Sequence, residues 1–324
     1  KQDQSIYDIT SKIILSIQKV IKDVAPDYVL VHGDTTTSMA SSISAFYERV
    51  KIGHVEAGLR TNNLYSPFPE EANRQIISVL SSINFVPTLE SEKNLLIENK
   101  KNIYVTGNTV IDALHLTLKK LNEDQSLRDA VQKDIEKVYS FSAKKKIILV
   151  TGHRRENFGE GFLNICNALK IIAKSNENVD IVYPVHLNPN VREPVNKILS
   201  NIENIYLIEP LSYETFIFLM KECYMIITDS GGIQEEAPSI GKPVLVMRDT
   251  SERPEAVDAG TAILVGTDTK GIVGYAEDLI KNSKNYIKMS EAHNPYGDGK
   301  ASKRIIDAIY KDHLGWIILS ENQN

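Results

Sequence analysis

Cysteine is scarce in this chain. There are two in 324 residues, Cys166 and Cys223, each inside an apolar stretch and without CxxC or histidine-rich spacing. That excludes a disulfide framework and predicts buried free thiols in a reducing compartment. Long apolar runs are also missing. None approaches the roughly 18 residues that span a bilayer, and no basic, apolar, small-residue signal pattern opens the chain. There is no excess of positive charge either: the net charge is −5, so nothing electrostatic favours nucleic acid. The longest basic run, Lys144 to Lys146, reads as a solvated lead-in to a strand. No GxGxxG follows a strand, no GxxxxGK(S/T) occurs, and no HExxH or tight His/Cys/Asp cluster is visible. Gly159-Glu160-Gly161 is only a lone GxG. A nicotinamide dinucleotide, a P-loop triphosphate and a bound metal are therefore not expected, and no cofactor is. With 42% hydrophobic and 24% charged residues, a soluble cytoplasmic enzyme or binding protein remains.

What is present is alternation. Short β-branched runs near 28–32, 52–55, 84–86 and 103–105 alternate with amphipathic segments near 6–24, 36–50, 70–80 and 89–98. This is the pattern of βα units and a parallel sheet. The second half repeats it, with strands near 147–151, 181–185, 205–208, 225–228, 244–247 and 262–265. Helices there include 161–174, 189–200, 213–221 and 234–240. A charged helical stretch, 112–138, carries no strand signal and marks the expected hinge. The fold class is α/β, with two Rossmann-like, doubly wound parallel-sheet domains facing a cleft. The expected domains are 1–115 and 116–300, with the C-terminal helix from 301 packing back on the first. The first half reads as short of a strand, and the chain opens on Lys1, so an N-terminal truncation is expected.

In open parallel sheets ligands bind beyond the carboxyl ends of the strands, and the residues there are rich in chemistry. Ser230-Gly231-Gly232 joins a strand to a helix expected to begin near Ile233. Glycine admits close backbone approach, and a helix N-terminus offers unpaired N–H groups, so this is a candidate phosphate seat. A plain βα turn explains the same residues equally well. Glu236 follows on that helix, as a ribose ligand or as a dipole partner. Asp34 and Glu56 end neighbouring strands, and Glu70 opens a helix after Pro67-Phe68-Pro69. Clustered carboxylates repel and suit general acid or base work. Alternatively Asp34 caps the helix that follows, and Glu70 pairs with Arg74 four residues on. His153 and His186 both stand at strand ends, where two histidines are harder to dismiss than one.

The strings VHGDTTTS, HVEAGLRT, YSPFPEEANRQ, GNTVIDAL, VTGHRREN, VYPVHLNPNV, TDSGGIQEEAPSIGKPVLVMRDTSERPEAV and NPYGDG, spread over about residues 30–300, resemble those of bacterial non-hydrolysing UDP-N-acetylglucosamine 2-epimerases. The resemblance implies a GT-B-like fold, a homodimer, and interconversion of UDP-N-acetylglucosamine and UDP-N-acetylmannosamine through elimination of UDP. It implies that Asp34, Glu56, Glu70 and His153 serve the chemistry. Ser230, Gly231 and Gly232 would seat the diphosphate, Glu236 the ribose, and Phe216 would lie beside the uracil. Arg154, His186 and Arg253 match positions near the substrate or near a second, regulatory UDP-sugar. The family's opening strand and Gly-Thr-Arg-Pro-Glu loop have no counterpart before Lys1. A retaining glycosyltransferase, a hydrolysing epimerase and a non-catalytic UDP-sugar-binding protein are the competing readings.

Overall fold

The computed structural model describes residues 5–250 and 253–321. The chain divides into two compact units: residues up to Asp112 together with those from Tyr296 on, and Ala113–Pro295.

The first unit alternates α1 (Ile6–Val24), β1 (Tyr28–His32), α2 (Thr36–Tyr47), β2 (Lys51–Val55), α3 (Glu70–Leu80), β3 (Ile83–Val86), α4 (Leu89–Ile97) and β4 (Ile103–Val105). Its four described strands are parallel and lie side by side in chain order. β3 is central and buried along its whole length, which is why it reads as an unbroken apolar–polar–apolar run with Asn84 hidden inside. Three of these helices start where Ser and Thr side chains cap them, while α3 follows Pro69 without a side-chain cap: Ser5 accepts from Asp8, Thr35 from Ser38 and Thr88 from Ser91. The last turn of the sequence pattern at 48–50 is not helical; Glu48 ends α2 and Arg49 takes a left-handed φ of 60°. The long helix Ala301–Glu321 belongs to this unit. Its Ile305 and Ala308 pack with Ile83 and Phe85, and both oxygens of Asp112 accept the N–H groups of Ala301 and Ser302 at its start.

One glycine here is conformationally obligatory. Gly58 has φ +88°, and a Cβ on it would stand 2.3 Å from the Ser91 carbonyl oxygen. Backbone cannot swing aside as a side chain can. Gly58→Ala is expected to cost about 2–4 kcal/mol from combined steric and left-handed strain, read as a lower urea midpoint; a change within about 0.5 kcal/mol, the range of a neutral surface substitution, would refute this account.

The stretch read as one charged segment resolves into α5 (Thr109–Glu123) and α6 (Gln125–Glu136), interrupted at Asp124, which caps α6. The second unit continues with β5 (Lys146–Thr151), α7 (Glu160–Ser175), β6 (Val179–Pro184), α8 (Pro189–Leu199), β7 (Ile205–Ile208), α9 (Tyr213–Glu222), β8 (Met225–Thr228), α10 (Gly231–Glu236), β9 (Val244–Val246), α11 (Pro254–Asp258), β10 (Ala262–Leu264), α12 (Thr269–Lys281) and α13 (Ser283–Ser290). The sheet order is β10-β9-β8-β5-β6-β7, all parallel. The winding therefore reverses between β5 and β8, which pair directly from Ile148–Met225 to Thr151–Thr228. That reversal is the topological switch point, where open α/β sheets present a crevice. Its core is Ile148, Val150, Phe162, Ile165, Leu169, Tyr183 and Ile227, all fully buried. α10 begins at Gly231, two residues before the expected start, so both glycines are helical despite their low propensity. It is followed by a 3₁₀ turn, Ala237–Ile240. Cys166 and Cys223 are buried free thiols. Among the described residues no helix is long and apolar enough to cross a membrane.

Candidate active site

In the first unit the β1–α2 turn is built around Gly33. It takes φ +67°, its N–H donates to Val55 O at 2.9 Å, and a Cβ would come within 3.0 Å of Glu56 Oε2. The glycine thus serves both the turn and the space that Glu56 occupies. Beneath it, His54 is wholly buried and its Nε2–H donates to Gly33 O at 2.9 Å. Burial pushes the His54 imidazole down to about 4, so it stays neutral and acts as a fixed brace.

Asp34 is not the cap of α2; Thr35 does that. The Asp34 carboxylate instead accepts from Arg74 Nε at 2.9 Å, and its carbonyl accepts from Asn73 Nδ2 at 2.8 Å. Arg74 is itself buried and also donates to Glu71 Oε2 at 2.7 Å. The expected Glu70–Arg74 pair is therefore replaced by Glu71–Arg74, since Glu71 lies on the inner face of α3 and Glu70 does not. Glu71 is wholly buried, and it accepts the Thr61 and Asn62 N–H groups and the Gln75 amide as well. Glu70 is partly exposed and has no hydrogen bond or ion pair among the described residues.

Glu56 follows β2 with a left-handed φ of 63°, an uncommon conformation for a residue with a side chain and one that clusters at functional positions. Its Oε1 accepts from Asn108 Nδ2 at 3.2 Å, and its Oε2 lies 3.6 Å from His32 Nε2. Asn108 and His32 went unmarked in the sequence, although GNTVIDAL contains the first and His32 directly precedes Gly33.

In the second unit the strand ends around the switch point enclose a cavity of about 250 Å³, lined among others by His153, His186, Phe216, Ser230 and Ile233. The His153 and His186 rings stack at 5.2 Å with an interplanar angle of 16°. Burial, followed by the neighbouring His186 and Arg154, lowers the pKa of His153, while Asp229 pulls it back up. Arg154 Nε is buried without a hydrogen-bond partner among the described residues, a donor held ready for an acceptor. Ser230 sits at the start of α10 with no side-chain cap bond, its own N–H donating to Thr228 Oγ1 at 2.9 Å. The Arg253 guanidinium lies over Gly231, where a Cβ would come within 2.4 Å of it, and is fixed there by buried Glu235. Among the described residues nothing comes within 4 Å of a Cβ placed on Gly232.

Glu236 is buried and accepts from Tyr213 Oη at 2.8 Å. Burial and the neighbouring Glu235 push its carboxyl up to about 7, against the opposing pull of the tyrosine hydrogen bond. A carboxyl raised from 4.5 holds its proton longer in the folded chain than in the unfolded one. Its contribution is therefore complete below pH 4.5 and is lost as pH rises through 7. Glu236→Gln cannot ionise. Its melting temperature, relative to the parent, is expected to climb between pH 5 and pH 8 by the equivalent of ~3 kcal/mol. A gap independent of pH would show that Glu236 titrates normally. Among the described residues no group of three or more His, Cys, Asp or Glu could hold a metal ion.

The family model described as UDP-N-acetylglucosamine 2-epimerase matches residues 1–310. The chain belongs to that family. It is 57% identical over 313 residues to the UDP-N-acetylglucosamine 2-epimerase of Campylobacter jejuni, an alignment covering 96% of this chain and 82% of that protein. The Neisseria meningitidis UDP-GlcNAc 2-epimerase bound to UDP-GlcNAc superposes with a TM-score of 0.90 at 51% identity, over 96% of this chain and 83% of that one. The Methanocaldococcus jannaschii enzyme in complex with UDP-GlcNAc and UDP gives a TM-score of 0.78 at 31% identity, over 95% and 82%. The fold of this family member is accordingly GT-B-like, and its class is that of an isomerase. The chain carries Asp34, Glu56 and Glu70 in one unit and its stacked histidines, glycine turn and buried Glu236 in the other.

Proposed function

We propose that the chain interconverts UDP-N-acetylglucosamine and UDP-N-acetylmannosamine. A base takes the proton from C2 of the sugar, the C1–O bond breaks with its electron pair leaving on UDP, and the C1–C2 double bond of 2-acetamidoglucal forms. A second group returns a proton to the opposite face of C2 while UDP adds back to C1. The chemistry needs acid/base groups on both faces of the ring and a cationic, N–H-rich seat for the departing diphosphate. Asp34, Glu56 and Glu70 supply the first. Ser230, Gly231 and Gly232, with Arg154, Arg253 and His153, supply the second. Glu236 takes the ribose and Phe216 the uracil face. His186 and Arg253 also suit a second UDP-sugar acting as activator, with a homodimer as the working unit and the cytoplasm as its place.

The observation that carries this reading is Glu56. Its carboxylate is oriented by an amide and a histidine while its backbone takes a costly left-handed turn, an arrangement suited to moving a proton. Proton NMR of the protein with UDP-N-acetylglucosamine in deuterated buffer tests it. The C2 hydrogen signal should disappear as UDP-N-acetylmannosamine forms. Free sugar with UDP would instead indicate a hydrolysing enzyme, turnover only with an acceptor a glycosyltransferase, and UDP binding without exchange a non-catalytic binder.

A further inference from the structure

Asp229 follows β8 at the switch point and is wholly buried. Its two oxygens are treated unequally. Oδ2 accepts three donors: the N–H groups of His153 and Arg154, each at 2.9 Å, and Asn157 Nδ2 at 3.3 Å. Oδ1 is buried and has no hydrogen-bond partner among the described residues. A bare carboxylate oxygen away from water is costly, and in a native protein it calls for a partner. The side chain standing in front of it is His153, whose Nδ1 is 3.8 Å away and whose ring is about half exposed. Moving Nδ1 closer by about 1 Å completes a hydrogen bond of ordinary length. The backbone donors hold the carboxylate still while the imidazole retains that freedom.

We propose that Asp229 is a positioning residue for His153: Oδ1 accepts the Nδ1 proton and fixes the tautomer whose Nε2 is left for the diphosphate of the nucleotide sugar. This rests on the reading of the cavity beside Ser230 as the diphosphate seat. The neutral ring has one proton and two nitrogens, and the hydrogen bond made by one nitrogen decides what the other does. The charged and titratable groups around His153 are Asp229, which favours the imidazolium, and His186 and Arg154, which oppose it. A diphosphate arriving opposite Asp229 puts negative charge on both sides of the ring. The imidazole then takes a proton from solvent and donates Nε2–H to a phosphate oxygen, stabilising UDP as it departs. Nothing in the string VTGHRREN or TDSGG signals this pairing, since Asp229 and His153 lie 76 positions apart.

The test is long-range proton–nitrogen NMR on protein with ¹⁵N-labelled histidine, the His153 signals being assigned by their loss in His153→Asn. The parent is expected to show the Nδ1–H tautomer near pH 8, and added UDP is expected to raise the His153 pKa by about one unit or more. Asp229→Asn keeps an oxygen for the backbone donors but turns an amide N–H₂ toward the ring. It should invert the tautomer and lower kcat about 10- to 100-fold while KM stays within about threefold, the pattern of a lost transition-state interaction. An Nε2–H tautomer in the parent, or one unchanged in Asp229→Asn, overturns the proposal whatever happens to kcat. The tautomer is read without turnover. A correct tautomer with no C2 exchange in the parent would thus refute the epimerase reading while leaving the Asp229–His153 pair standing.

Discussion

Glu56→Gln is expected to slow exchange of the C2 hydrogen of UDP-N-acetylglucosamine by on the order of 10³-fold, within the range attributed to one positioned acid or base. Glutamine keeps the shape and leaves the Gly33 turn undisturbed, but it cannot accept a proton at the reacting carbon. The left-handed backbone at residue 56 is retained, so the fold has no reason to change. UDP affinity should stay within about twofold, because the diphosphate and ribose ligands assigned to the second unit are untouched. Exchange followed by NMR, with UDP binding by calorimetry on the same sample, separates the two quantities. Exchange within tenfold of the parent would remove Glu56 from the chemistry. Asn108→Ala is a graded version of the same experiment, since it removes the amide that orients Oε1 and leaves the carboxylate itself.

The second large effect concerns two adjacent glutamates. Glu71→Ala is expected to destabilise the chain by about 3–5 kcal/mol, the usual result of stripping one partner from a buried ion pair. Arg74 would be left buried with only Asp34, and the Thr61 and Asn62 N–H groups would lose their acceptor. Glu70→Ala is expected to spare the fold. It should change stability by less than about 0.5 kcal/mol, as a side chain without partners does, yet lose most C2 exchange. Urea midpoints and exchange rates measured on both variants separate the two roles, since only Glu71→Ala should lose stability. If both glutamates moved stability alike, the distinction drawn between the inner and outer face of α3 would be wrong. Loss of exchange in Glu71→Ala is also expected, at conditions where the variant is folded, because Arg74 then no longer holds the Asp34 carboxylate from a fixed position.

Much of this protein is legible in one dimension. β1, β4, β7 and β8 begin and end at the residues that the β-branched runs indicate, and α1, α3 and the start of α9 fall at the residues expected. Those signals are local: short strands are marked by β-branched and apolar runs, and α1 and α9 start after a Ser whose oxygen reaches a free N–H, whereas α3 opens after Pro69 with two glutamates in its first turn. The clustering of polar residues after the strands was legible too, because a parallel sheet puts every strand's carboxyl end on one edge. Family membership rests on the same strings.

The sequence by itself therefore determined the parallel α/β architecture, the list of chemically armed strand ends and the family. It could not decide which of two neighbouring residues does what. Glu70 and Glu71 are the same residue at the same helix terminus, and only the packing of α3 against the 61–62 loop buries one and leaves the other without a partner among the described residues. Asp34 and Thr35 are both good caps; the position of Arg74 draws Asp34 away. The raised Glu236 carboxyl, the neutral His54 and the bare oxygen of Asp229 were invisible for a common reason. Each is set by how much water the fold removes and which dipoles replace it, and most of those neighbours come from residues tens of positions away along the chain.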